Sequence, residues 1–335
     1  MSGGKQSANK RSYLTEEYCE KTNAIPFVTS DGAVLNILDA FICPICLNII
    51  NKEDIDNITL EHVPPKSVGG NPLLVTCSHC NNTLGSEVDN CLCNELLIYH
   101  LIRHPENTTF KATYTLNGVQ IKGRMKLDLK AERPTFKFTI DANDRVKYPT
   151  FTKELINNWD GCDLQVVSEI TGTKRNEEYS NISVLKSAYL MAFAKMGYMY
   201  ILQDSLDNVR AQIQNRNKKI LSNAYLVGRG IEIMPEVQNG VYYGFVNDTR
   251  CVLVIMTLRL KKKDASSHRV VVALPHPDDK DDFLYKKLSK MDEIKKISKL
   301  EEVGILATKP IKINESLNDI LDKSKSIQND LTDIE

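Results

Sequence analysis

Hydrophobic and polar positions divide the chain into stretches of different period. The first 22 residues are polar, basic at first, and predict a flexible terminus. Apolar residues gather from Ile25 to Ile42, where Val34–Phe41 fits a short helix or strand. Val88, Leu92, Leu96 and Tyr99 recur at helical spacing and predict a helix over about 86–103. Ser86 and Asp89 resemble its capping box, and His104-Pro105 ends it.

Beyond residue 105 the period changes. Asn117-Gly118 between ATYTL and VQIKG is a hairpin signal, and LDLKAERPTFKFTI supplies two more strands around Pro134. A short helix at 150–160 and a strand in LQVVSEI follow. The run Val184–Leu202 is almost wholly apolar but carries Lys186, Lys195 and Gly197. It is a poor membrane span and predicts a buried central helix over about 183–203, capped by Asn181 or Ser183. A second helix over 204–221 has Leu206, Val209, Ile213 and Ile220 on its apolar face. IEIM, VYYGFV, CVLVIMTL and RVVVAL read as strands, and from Asp281 the pattern turns helical and charged. The segments read as a flexible N-terminus (1–24), a cysteine-bearing module (25–104), a larger α+β domain without a nameable motif (105–315) and a polar tail (316–335).

Composition changes this picture in two places. The 43 basic residues balance the 43 acidic ones, which argues against a protein that coats nucleic acid by bulk charge. Six of the nine cysteines fall between Cys43 and Cys93. No Sec-type signal peptide is visible, so a reducing, cytoplasmic setting is expected, and paired Cys-x-x-Cys there reads first as metal binding. CPIC (43–46) and CSHC (77–80) are two such pairs. Cys43, Cys46, Cys77 and Cys80 give four thiolates and no open position, the donor set of structural Zn²⁺. Cys91 and Cys93 read as small buried hydrophobes.

Between and after the pairs lie Glu61-His62, Pro64-Pro65, Gly69-Gly70 and Asn81. Carboxylate and amide oxygens are hard ligands suited to Mg²⁺ or Mn²⁺, and an imidazole can act as a base near neutral pH. On a regular strand Glu61 and His62 face opposite sides, so a shared site requires a twist or bulge.

The composite CPIC, LEHVPPKSVGG, TCSHCNN-x-x-GSEVD resembles the HNH endonuclease family, the ββα-metal nucleases. Its zinc knuckles flank an acidic-His pair, with a terminal Asn, in a resolvase-like order. The resemblance covers residues 41–103. It implies an α+β fold with a small zinc-stapled ββα-metal module, zinc on Cys43, Cys46, Cys77 and Cys80, and His62 as general base. It also implies Glu61 and Asn81 as ligands of a catalytic Mg²⁺ or Mn²⁺. Glu61 stands where the family usually has Asp, and Pro72 where its middle Asn is expected. The implied activity is phosphodiester hydrolysis in DNA, in a bacterial defence or mobile-element setting. An RNA-directed nuclease and a non-catalytic zinc-binding interaction module fit the same residues.

Residues 36–104 hold three basic and eight acidic side chains, a formal −5, so phosphate contacts must come largely from elsewhere. Lys66 lies in the module, and Arg259, Lys261, Lys262, Lys263 and Arg269 form a basic patch around an expected hairpin tip. Arg210, Arg216, Lys218 and Lys219 form a second patch on the helix over 204–221. The expected partner is nucleic acid, without membrane association and with a possible homodimer.

Overall fold

A computed structural model describes residues 2–28, 32–103, 109–116, 118–128, 135–157, 165–167, 176–230, 234–260, 267–279, 283–290, 296–304, 306 and 311–312. The helices in chain order are α1 (Ser2–Asn23), α2 (Ser78–Leu84), α3 (Asn90–Arg103), α4 (Tyr148–Asn157), α5 (Glu177–Met196), α6 (Tyr198–Ile201), α7 (Asp207–Gln214) and α8 (Phe283–Leu288). The first strands are β1 (Phe27–Val28), β2 (Val34–Leu35), β3 (Ala40–Ile42), β4 (Ile49–Asn51), β5 (Ile58–Val63) and β6 (Asn71–Cys77). Then come β7 (Thr109–Leu116), β8 (Val119–Asp128), β9 (Thr135–Ile140) and β10 (Gln165–Val167). The last are β11 (Leu226–Gly230), β12 (Gly240–Val246), β13 (Thr249–Arg259), β14 (Ser267–Leu274), β15 (Ile297–Glu302) and β16 (Ile311–Lys312). The protein is α+β, as expected.

Two compact units result. One joins Met1–Cys93, Glu177–Lys261 and Ser267–Glu335; the other joins Asn94–Asn176 and Lys262–Ser266. The expected boundary near residue 104 is therefore not the division found. The cysteine-bearing segment shares its unit with the long apolar helix and the strands that follow it.

In the first unit a five-stranded antiparallel sheet runs β11-β14-β13-β12-β15. Val252 to Met256 are all buried, so this strand reads as a continuous apolar run rather than an alternating one. The central helix α5 packs on this sheet. It starts earlier than its apolar run, at Glu177-Glu178, whose charges suit a helix N-terminus. Asn181 and Ser183 are buried within the helix and do not cap it. It stops before Gly197, at φ +78°, a conformation that glycine adopts without steric cost. Burial all round α5 is what an apolar helix without a polar face requires.

Several other expectations change. Residues 2–23 form a helix rather than a flexible arm. Leu14, Tyr18 and Cys19 are buried, with Thr15 and Thr22 on the same face. Tyr18 packs its ring 5.1 Å from that of Phe193. The apolar positions are few, but four-residue spacing puts them on one stripe. The helix expected from 204 ends at Gln214, and Ile220 is exposed while Leu206, Val209 and Ile213 are buried. ISKLEE, read as helical, pairs with β12 as an edge strand, a case of tertiary pairing overriding local propensity. Of IEIM, residues 231–233 lie outside the described set.

The second unit holds the antiparallel sheet β10-β7-β8-β9. The expected hairpin is present, with Gly118 at φ +79° in its turn. Ala112, Tyr114, Leu116 and Ile121 form its core together with Phe151 of α4.

Candidate functional site

The sulfurs of Cys43, Cys46, Cys77 and Cys80 converge, all within 4.8 Å of one another. Cys46 and Cys77 are 3.8 Å apart. Four sulfurs about 2.3 Å from a tetrahedral Zn²⁺ stand about 3.8 Å from each other, so the cluster has the size and donors for structural zinc. Two turns build it. In the first knuckle the Leu47 N–H donates to the Cys43 carbonyl, and the Cys43 N–H to that of Asn48. In the second the Cys77 sulfur caps α2, accepting from the Cys80 N–H. Burial pushes the Cys43 thiol well up, while contacts with Cys43 hold Cys46 and Cys77 down. His79 lies inside the second pair, exposed and outside the sulfur cluster.

The first knuckle is held from below by the later part of the chain. Tyr189 of α5 donates to the Pro44 carbonyl at 2.6 Å. Tyr198 donates to that of Ile42 at 2.7 Å, and the Gln214 side-chain amide to that of Ile45 at 2.9 Å. Carbonyls in and just before the tight turn thus gain donors from the later part of the chain.

Glu61 and His62 lie on β5, paired antiparallel with β6, and α2 follows directly. This is the ββα order expected from the sequence. A bulge falls at the pair itself. Glu61 faces Leu74 and His62 faces Pro72, so Leu73 is the extra residue. Asn71, displaced from the family's middle position, is exposed and faces Val63.

Asn81 comes from the first turns of α2 onto β5. Its amide nitrogen donates to Thr59 Oγ1 at 2.9 Å and to the Leu60 carbonyl at 3.1 Å. A carbonyl only accepts, so this pair fixes which end of the amide faces the strand. The opposite end, the oxygen, is left pointing away from those partners.

Glu61 is placed differently from the expectation that it and Asn81 hold one metal. It is 2% exposed. One carboxylate oxygen accepts from the Lys186 ammonium at 3.0 Å, the other from the Thr76 hydroxyl at 3.3 Å. Lys186, 1% exposed on α5, also donates to Asp89 at 2.6 Å, and Ser183 donates to the other Asp89 oxygen at 2.6 Å. Asp89 is therefore neither a cap nor exposed. The helix expected over 86–103 is already running at Ser78 and passes through a π-turn, Gly85–Asp89, that carries Asp89. Burial pushes Glu61 above the ordinary carboxylate value, partly opposed by Lys186. Burial alone would lower Lys186, but Asp89 and then Glu61 outweigh it and hold the ammonium above its ordinary value. Asp89, the nearer carboxylate, reconciles the two shifts.

No protein-family model, no curated protein and no solved structure matches this chain. The residues and their geometry carry the functional reading alone.

The basic residues separate into three groups. Lys66 and Arg259 are exposed. Their segments meet: Gly69, at φ +96°, lies so close that a Cβ there would be 3.0 Å from the Arg259 carbonyl oxygen. Arg269 is a correction. It is 9% exposed and donates to the Val237 carbonyl, so it is not free to meet a phosphate. Arg210 is likewise buried, bonded to Asp207 and the Ile201 carbonyl, and Arg216 pairs with Glu87. Lys261, Lys262 and Lys263 lie outside the described residues. Cys91 and Cys93 are half-buried rather than buried, and the Cys91 thiol donates to the Glu87 carbonyl. Among the described residues no helix is long and apolar enough to cross a membrane.

The sequence reading missed Lys186 as a site residue. Its signal was present, because a lysine inside an otherwise apolar, buried helix requires a carboxylate partner.

Proposed function

We propose that β5, β6 and α2 form the core of a metal-dependent endonuclease of HNH type, acting on phosphodiester bonds, in DNA first. One observation carries the reading. From α2 the Asn81 amide nitrogen bonds Thr59 and Leu60 of β5, the strand that bears His62 at a bulge, and this directs the amide oxygen away from those two partners. A hard oxygen donor and an imidazole are the two groups that metal-assisted hydrolysis needs.

In this reading His62, half-buried, takes a proton from water as the water oxygen attacks phosphorus. The bond to the 3′ oxygen breaks, leaving 5′-phosphate and 3′-hydroxyl ends. Asn81 Oδ1 would hold Mg²⁺ or Mn²⁺, which supplies positive charge to the scissile phosphate and the leaving oxygen. Glu61, occupied by Lys186 and Thr76, supports the strand from its buried side. Mg²⁺ keeps several waters and is usually held by one or two carboxylates with substrate phosphates, so with Asn81 as a neutral ligand the phosphate oxygens would supply most of the attraction. Lys66 and Arg259 offer cations for the flanking phosphates, offsetting the acidity of the module. The cysteine cluster holds the knuckles with structural zinc and takes no part in the chemistry.

A second reading, a non-catalytic zinc module for protein or nucleic-acid interaction, draws on the burial of Glu61 in an ion cluster. Plasmid nicking with Mg²⁺ or Mn²⁺ separates the two, with single-stranded DNA and RNA as further substrates. Wild type is expected to cut. His62→Ala and Asn81→Ala are expected to lose cleavage on the order of 10²-fold or more while keeping zinc and fold. Equal cleavage by wild type and His62→Ala would refute the mechanism, and a zinc-loaded wild type inert on all substrates would favour the interaction module.

A further inference from the structure

Resting on the endonuclease reading, the geometry points to Lys186 as a positioning residue for His62. From α5, 125 positions beyond Glu61, its buried ammonium ties Glu61 of β5 to Asp89 of the π-turn. This fixes the bulge from which His62 is presented.

Three observations converge on it. First, Lys186 bonds the residue immediately before His62, on the side of the strand that is buried. Second, the register shift lies between Glu61 and His62, so the tie acts at the irregular step rather than along a regular ladder. A bulge stores an alternative, because a one-residue slip would turn the following side chains to the other face. Third, the same ammonium holds Asp89, and Ser183 holds it too, at the end of the π-turn that continues the helix begun at Ser78, which carries Asn81. A single charge thus spans both elements that carry the site, β5 with His62 and the α2 segment with Asn81. Tyr189, one turn further along α5, grips the Pro44 carbonyl of the zinc knuckle. The helix therefore acts as a rigid bar to which the hairpin, the π-turn and the knuckle are all fastened. Lys186 touches neither water nor phosphate in this role.

The test uses the full-length, zinc-loaded protein. Lys186→Met leaves two buried carboxylates without their cation and can fail to fold. Asp89→Asn with Lys186→Met removes one charge of each sign, keeps the Ser183 contact and leaves Glu61 intact but untied. Plasmid nicking with Mg²⁺ is measured alongside the ¹⁵N imidazole signals of His62, assigned by difference against His62→Gln. The double variant is expected to lose kcat on the order of 10²-fold, the scale of a displacement of about 1 Å in a reacting group, with KM nearly unchanged. Its His62 signals should broaden or double where wild type shows one set. Lys186→Arg, which keeps the charge, should recover part of the loss. A folded double variant with wild-type kcat and an unchanged single set of His62 signals would overturn the assignment. If wild type cuts nothing, the endonuclease reading falls, and the His62 spectrum decides the positioning role alone: unchanged signals refute it, doubled signals sustain it.

Discussion

Removal of the Lys186 charge has a size that follows from its surroundings. The ammonium is 1% exposed, 2.6 Å from one carboxylate and 3.0 Å from another. Lys186→Met keeps most of the volume and the apolar stem, so the change isolates the charge. It strands two carboxylates in a dry site, and breaking a buried pair by deleting one partner costs about 3–5 kcal/mol. Matched loss of the opposite sign is cheaper, so adding Asp89→Asn should return about half of that cost, with Glu61 still lacking its cation. Hydrogen exchange read by mass spectrometry reports the opening energy of the segments involved. At about 1.4 kcal/mol per power of ten, peptides of α5 and β5 in Lys186→Met should exchange roughly 10²- to 10³-fold faster or more, and those of the double variant roughly 10- to 10²-fold faster than wild type. The sheet β7–β10, in the other unit, serves as the internal control and should not change. Equal acceleration in the single and double variants would refute the reasoning, because the cost would then belong to lost packing and not to uncompensated charge.

Zinc removal by a chelator, or Cys43→Ser, should open the hairpin and knuckles, because zinc binding in such sites is on the order of 10 kcal/mol, comparable with the whole net stability of a domain. Circular dichroism with zinc quantitation checks it, and one ion per chain is expected. Gly70→Ala would place a Cβ 1.4 Å from the Pro64 carbonyl oxygen. Backbone displacement of the loop should then cost at least about 3 kcal/mol, read as a lowered Tm. Lys186 is held above its ordinary value, so its contribution is full below about pH 10.5 and lost as pH rises through the folded value. Buried Tyr198 and Tyr200 are also held up and titrate in the same direction. A wild-type stability curve steeper above pH 10.5 than that of the Lys186→Met, Asp89→Asn variant is therefore expected; parallel curves would deny Lys186 its share.

Local chemistry was legible in the sequence wherever the determining residues are neighbours. The Cys-x-x-Cys spacing announced the sulfur cluster, Asn-Gly the β7–β8 turn, and the apolar run 184–202 a buried helix. What failed depended on partners far along the chain. Tyr18 looks like one aromatic in a polar segment until Phe193 is beside it. ISKLEE alternates charge like a helix surface until β12 offers an open edge. Ser86 and Asp89 match a capping box, yet the helix is already running when it reaches them, and Asp89 turns inward to a lysine 97 positions away. Arg210 and Arg269 counted as surface charge because spacing says nothing about which carbonyls need donors.

On the endonuclease reading, the burial of Glu61 bears on how the proposed site would tolerate Glu in place of Asp. A longer side chain on a half-open strand could reach a metal from a new angle, but here it reaches inward, and the cation it meets is supplied by the protein itself. That exchange has a chemical consequence. A carboxylate bound to a divalent ion lowers the net charge the ion presents to phosphate, whereas one neutralised by Lys186 leaves it undiminished. With Asn81 as a neutral donor, the ion would keep its full double charge against the scissile group. On the endonuclease reading, a module with a formal charge of −5 would gain most from that arrangement, since it has few other cations to bring to a phosphate.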